Sequence, residues 1–416
     1  MSSLKILVFA LAGFIGQAQA ELQFLCPTQL AQLQSEATAY LRALQIPAAQ
    51  IRQTFDPTSA SLTLALTTPP NDKRTLDLAT RPEFALTPER VSLPSGDGKT
   101  REVATVSRKE IMLALLQHGR ITILSGADCH IGALMDLVGL RQNIVAWAEN
   151  LNWVWPDGDY AQWNPAYWTE GTPKPGVPLR QAVMDAFWQP EKYSIGCYTA
   201  IKLLLVQAVL DYYHRIKADP VRTRQVEAAL LIDGEPLVDV EPGHMWQFEK
   251  DYTPADGAHA GKLMLLEAGV AQGHFVPGDW AYFLNTDPLT YEKTGYEGSN
   301  AIYLGGNRFD DFYNDHNHSY TYEEKLNEVY QWRHGVFSRS RDADKAKPLT
   351  PAQLGQLSHT PANGGLQLGF NRSMQHTRNC VSRRSVADET IPAKTYYCTS
   401  VQPQKRASSL MASCSR

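Results

Sequence analysis

The run from Cys197 to Ile216 constrains the fold of this chain more than any other segment. After Cys197, the residues Ile201, Leu204, Leu205, Ala208, Val209 and Tyr212 recur at i, i+3, i+4, i+7, i+8 and i+11, one face of an amphipathic helix. Lys202 and Gln207 bracket its most apolar stretch, Leu203 to Val206, so it reads as a buried core helix; a membrane span needs roughly 20 apolar residues. Cys197 then stands at the helix N-terminus, where unpaired N–H groups and the macrodipole favour an anion. A thiol there loses its proton more readily and becomes a usable nucleophile. The plain alternative is a buried structural cysteine.

The compartment follows from the other end of the chain. Lys5 supplies a positive n-region, Ile6 to Ile15 an apolar h-region, and Gln17-Ala18-Gln19-Ala20 the small residues of a cleavage site. Residues 1–20 therefore read as a signal peptide, with Glu21 as the new N-terminus and the mature protein secreted or periplasmic. Gln23-Phe24-Leu25, just before Cys26, lack the small residues of a lipidation site. The formal net charge of −4 points neither to nucleic acid nor to an anionic membrane surface, and no later segment is apolar for long enough to span a bilayer. The six cysteines are 26, 129, 197, 380, 398 and 414. In an oxidising compartment thiols pair unless their chemistry requires otherwise. Cys380 with Cys398 is the favoured pair, because both lie in a polar tail with little else to order it. Cys129 reads as a structural or disulfide cysteine.

Three regions follow the signal peptide. Residues 21–108 form an N-terminal accessory region, with a helix within Pro27 to Gln45 and a strand over Ser61 to Thr67. Gly96 to Thr100 resembles the end of a phosphate loop, but Leu93 occupies the position where such a loop needs glycine, so it reads as a polar loop. Residues 109–345 are the main domain. Helices are expected at Glu110 to Gln117, Ile131 to Leu151, Leu179 to Trp188 and Cys197 to Ile216. A tryptophan-rich connection runs from Trp153 to Trp168, residues 217–272 read as irregular, and strands are expected at Trp280 to Leu284 and Ala301 to Leu304. Residues 346–416 are a polar tail, tied by a disulfide if by anything.

A cysteine nucleophile needs a base and an orienting group. Asp310 to His318 is dense in acids and histidines and reads as the base-bearing strand or loop. His316 and His318 beside aspartates could instead ligate zinc, but no second cluster at metal-ligand spacing supports that reading, and no cofactor is expected.

Five segments together resemble a family. Leu140 to Ala148, Asn164 to Trp168, Cys197 to Ile201, Pro277 to Phe283 and Gly298 to Gly305 look like successive motifs of the small sporulation-associated bacterial protein-glutamine gamma-glutamyltransferases, or transglutaminases. The resemblance covers roughly residues 125–340 and implies an α+β, papain-like core of the kind shared with cell-wall cysteine peptidases. It also implies that Cys197 attacks a glutamine carboxamide, releases ammonia and passes the acyl group to a lysine amine or to water. The partners implied are proteins bearing glutamine and lysine. A cross-linker aimed at a competitor would add a cognate inhibitor or immunity protein.

The departures fall on the carboxylates. Gly196 and Ser299 stand where the family carries glutamates, and Glu297 is the carboxylate nearest to Ser299. Ser299 is too weakly basic to serve, and Glu297 would share its face in a strand. His316 matches the family's histidine best and is expected to be the principal base, with Asp315 or Asp311 orienting it, Glu297 secondary and His318 the alternative. The competing functions are a papain-like cysteine hydrolase of cell-envelope peptides and a secreted, catalytically inactive binding protein.

Overall fold

The computed structural model describes residues 21–67, 75–117, 121–156, 161–169, 171–230, 264–267, 275–284, 298–314, 319–333, 350–353 and 371–374. It begins with β1 (Glu21–Leu25), α1 (Leu30–Ala43), β2 (Ile51–Asp56), β3 (Ser61–Leu66), β4 (Glu89–Pro94), β5 (Thr100–Thr105), α2 (Arg108–Leu116) and β6 (Ile121–Ser125). The first sheet has the order β2-β3-β1-β6, with β1 antiparallel to β3 and parallel to β6. A parallel partner has to be reached by a long crossover, and here everything from α1 to α2 makes it. α1 buries Leu30, Leu33, Ala37 and Leu41, the stripe its periodicity predicts. β3 is buried along its whole length, because the sheet lies beneath α1 and α2 rather than facing water. Gly96 to Thr100 forms the turn of the β4–β5 hairpin: Gly98 has φ +77° and Ser95 N–H donates to the Lys99 carbonyl at 2.8 Å.

The second half holds α3 (Ile131–Ala148), the short strands β7 (Trp168–Thr169) and β8 (Thr172–Pro173), α4 (Leu179–Trp188) and α5 (Cys197–Asp211). One π turn, Tyr212–Ile216, extends α5. Then come α6 (Pro220–Leu230), β9 (Met264–Glu267), β10 (Trp280–Leu284), β11 (Gly298–Gly305), β12 (Arg308–Asp310), β13 (Ser319–Thr321), α7 (Tyr322–Arg333) and β14 (Asn371–Met374). The strands β10-β11-β12-β13 form an antiparallel meander, and β9 pairs with β14. The architecture is thus α+β.

Two expectations are corrected. Residues 217–272 are not wholly irregular: α6 starts at Pro220, and Asp219 Oδ1 accepts the Arg222 N–H at 2.9 Å. An aspartate cap followed by proline at the first helical position is a sound start signal, but the helix carries too few apolar residues to show a stripe. α5 is not amphipathic either. Leu203, Val206, Gln207 and Leu210 are buried along with the expected face, because α3, α4 and the second sheet enclose it. A helix apolar nearly all round belongs in a core. No described helix is long and apolar enough to cross a membrane.

One apolar cluster runs from Leu22 on β1 through α2, α3 and α5 to Tyr313, and a smaller one covers the other face of the second sheet with Phe275, Phe283, Tyr303, Phe309 and Tyr322. Polar groups hold α3 and α5 together. Asn143 Nδ2 donates to the Ala208 carbonyl at 2.7 Å, and Trp147 Nε1 donates to Asp211 at 2.9 Å. Arg141 on α3 forms a buried ion pair with Asp279 at 2.8 Å, which fixes the start of β10. Glu110 reaches from α2 to accept the Gly306 N–H at 2.6 Å. Gly305 must be glycine there, since it has φ +91° and a Cβ would lie 2.7 Å from Glu110 Oε1. Cys26, just after β1, and Cys129, just before α3, form a disulfide across a sequence separation of 103. The favoured pair Cys380–Cys398 lies outside the described residues.

Candidate active site

The approach to α5 is held from both sides. Ser194 exchanges backbone hydrogen bonds with Gln162 at 2.7 and 3.0 Å, Val154 N–H donates to the Tyr193 carbonyl, and Tyr313 Oη donates to the Ile195 carbonyl at 2.9 Å. Tyr193 Oη donates to Asp185 at 2.7 Å. The tryptophan-rich connection therefore grips the segment that leads into Cys197. Trp153 also donates its backbone N–H to Phe312, next to β12. Gly196 caps α5 in an extended conformation without a side-chain cap, and Cys197 is its first residue. A Cβ at Gly196 would meet nothing within 4 Å, so open space lies where the resembling family has a glutamate. Cys197 carries no disulfide and is buried.

β11 lies against the start of α5. Asn300 offers two donors to Cys197 Sγ, its backbone N–H at 3.5 Å and Nδ2 at 3.3 Å. Trp280 Nε1 donates to Asn300 Oδ1 at 2.7 Å from the neighbouring strand. Donors directed at a sulfur favour its ionised form, as does the helix N-terminus. The site can therefore generate a thiolate.

The residues singled out from sequence are distributed unevenly. Ser299 pairs with Phe283, and strand alternation puts it on the face of Ala301 and Tyr303, away from Cys197. Asp311 is committed to a buried ion pair with Lys325 at 2.9 Å, and Lys325 also reaches Glu328 at 2.9 Å. Glu297, Asp315, His316 and His318 lie outside the described residues. Three residues not selected from sequence stand out. Asn300 and Trp280 each sit inside a quoted motif, but only the pairing of β10 with β11 reveals their joint task. Asp310 follows Phe309 on β12, and alternation puts it on the sheet face that carries Asn300. Its Oδ1 accepts the backbone N–H groups of Asp311 and Phe312, and its Oδ2 has no hydrogen-bond partner among the described residues. Complete burial holds its carboxyl well above the usual range, against the Phe312 N–H and with Asp311 and Glu149 adding repulsion.

Glu149, at the C-terminus of α3, is pushed up to about 7 by burial, with Arg308 opposing. Between its ordinary 4.5 and about 7 the folded protein keeps a proton that the unfolded chain releases, so this group lowers stability as pH rises through that window. Glu149→Gln keeps a neutral side chain at every pH. Urea unfolding is expected to show the variant gaining on the parent between about pH 5 and about pH 7; an equal difference at both ends would refute the assignment.

Residues 130–334 match the family model described as protein-glutamine gamma-glutamyltransferase. Among solved structures, a transglutaminase from Geobacillus stearothermophilus, without its C-terminal extension, is 19% identical, with 58% of this chain and 93% of that chain covered and a TM-score of 0.36. No curated protein matches the chain. The matched stretch contains Cys197, Trp280 and Asn300, and this chain is a protein-glutamine gamma-glutamyltransferase-like, or transglutaminase-like, enzyme.

Proposed function

We propose that the protein is an exported cysteine acyltransferase acting on protein glutamines. The observation that carries this reading is the Cys197 sulfur at the first position of α5 with two Asn300 donors against it. Cys197 thiolate attacks the carboxamide carbon of a glutamine; the C–N bond breaks, ammonia leaves with a proton from the base, and a thioester remains. A neutral lysine amine then displaces the thiolate, giving its proton back to the base, to form an isopeptide bond, or water does the same to give glutamate. This splits one hard acyl transfer into two easier steps. N–H groups in the first turn of α5 are suited to the oxyanion of each tetrahedral intermediate.

The papain-like reading of the core is supported by a nucleophile at the start of a buried helix that packs on an antiparallel sheet. Export is supported by the Cys26–Cys129 disulfide, which persists in oxidising compartments, and by the signal-like pattern of Lys5, the apolar run Ile6 to Ile15 and the small residues Ala18 and Ala20. The base in this reading is His316, with Glu297 second and His318 the alternative. Asp315 orients it more readily than Asp311, which already serves Lys325.

The test is mass spectrometry of a glutamine peptide incubated with the protein and a primary amine. Amine incorporation with loss of ammonia is the expected result, accompanied by some conversion to glutamate. Backbone cleavage without either product would move the protein to the cysteine hydrolases, and no change to the peptide would favour the inactive binding protein.

A further inference from the structure

We propose that Lys325 is a positioning residue for the base. From inside α7 its ammonium holds Asp311 and Tyr320, one at each end of the stretch of chain that carries His316, and so fixes where that stretch leaves the sheet and rejoins it. The proposal rests on Cys197 and His316 acting together as nucleophile and base.

A lysine is almost never fully buried, because its ammonium gives up hydration that only well-placed partners can replace. Lys325 is 0% exposed and Asp311 2%. Lys325 Nζ lies 2.9 Å from Asp311 Oδ1 and 2.9 Å from Glu328 Oε2, and it sits over the Tyr320 ring, 4.3 Å from the centroid. Tyr320 Oη closes the cluster by donating to Asp311 Oδ2 at 3.5 Å. The charged and titratable groups facing the ammonium thus come from the end of β12, from β13 and from the next turn of α7. Glu323 and Glu324 are engaged elsewhere, with Asn307 and Thr321.

These partners straddle one stretch of chain. Asp310 pairs with Ser319 and Phe309 with Tyr320, so β12 ends where β13 begins, and the sequence between them includes His316. The helix that carries Lys325 has its own anchors. Thr321 Oγ1 accepts the Glu324 N–H at 3.2 Å, Glu324 Oε2 accepts the Thr321 N–H at 2.7 Å, and Asn307 Nδ2 donates to Glu323 at 3.2 Å. Lys325 therefore reaches Asp311 from a fixed support. Directly after Asp311 the chain meets the approach to the nucleophile: the Phe312 carbonyl accepts the Trp153 N–H at 3.0 Å, and Tyr313 Oη donates to the Ile195 carbonyl. Releasing Asp311 loosens the stretch at its first residue, and a misplacement of about 1 Å in a catalytic group costs on the order of 10² in rate.

The experiment is the pH profile of iodoacetamide alkylation at Cys197, read on its own peptide by mass spectrometry, with the full mature chain under non-reducing conditions and a thermal melt beside it. His316→Ala removes the imidazolium partner of the thiolate and should raise the midpoint by about one to three units. Lys325→Met, close in shape and uncharged, should produce a large part of that rise. The paired variant Lys325→Met with Asp311→Asn should do the same without stranding a buried Asp311 charge. In the His316→Ala background Lys325→Met should add nothing, because the base it places is gone. An unchanged midpoint in both Lys325 variants overturns the proposal, whatever their melting points do. So does a shift that adds to that of His316→Ala, which would mark a direct field on the sulfur, and so does an unmoved midpoint in His316→Ala itself. If neither Lys325 variant folds, Lys325 holds up the fold rather than the base, and the proposal falls as well. Midpoints that shift as stated without amine incorporation would uphold this proposal and overturn the acyl-transfer reading. Incorporation with unmoved midpoints would do the reverse.

Discussion

Replacing Cys197 with alanine is expected to remove amine incorporation, by a factor on the order of 10⁴ or more, and to leave the fold standing. The expected loss follows because a thioester needs a thiol, and among the described residues Cys197 is the only cysteine outside a disulfide. The fold survives because truncating a small buried side chain costs only about 1 kcal/mol, while Ile201, Leu204, Ala208 and Val209 keep their places in the core. Amine incorporation measured beside a thermal melt checks both halves. Activity that survives the substitution would mean that another thiol, or another mechanism, does the work.

The second large effect is on stability. Opening the Cys26–Cys129 bridge, by Cys129→Ala or by reduction, releases a loop constraint spanning a sequence separation of 103. The chain-entropy estimate for a loop of that size is about 4.7 kcal/mol, which is comparable with the whole stability of a marginal domain at about 5–15 kcal/mol. The bridge joins the end of β1 to the start of α3, and α3 carries the Asn143, Trp147 and Arg141 contacts that hold α5 and β10. Urea unfolding with and without reductant should show a large drop in the midpoint. Native protein that remains after the bridge is opened should retain its Cys197 chemistry, since neither Cys26 nor Cys129 takes part in it. A variant that loses activity while its unfolding midpoint stays put would place Cys129 in the active site and refute this division of labour.

The local elements of the chain were legible because their signals are local. The apolar period of α1 and α5, the strand patterns of β3, β10 and β11, and a cysteine set immediately before a helical stripe are all properties of a few consecutive residues. Cys197 could be read as a nucleophile for the same reason: a helix start favours an anion wherever the helix goes. α6 escaped because its cap signal at Asp219-Pro220 lacked an apolar stripe behind it.

What the tertiary structure alone decided concerns partners far apart in the chain. Cys26 meets Cys129, and Cys197 meets Asn300, each across a separation of 103 residues, and no local pattern encodes either meeting. β1 lies between β3 and β6, α5 is covered on every side, Asp311 is claimed by Lys325, and Ser299 faces away from the sulfur. Each outcome depends on strand order and register, which are set by how buried faces fit together. The sequence therefore determined that Cys197 opens a helix, and only the folded chain determined what surrounds it, because a hydrogen bond needs its two atoms brought within about 3 Å and sequence spacing says nothing of that distance.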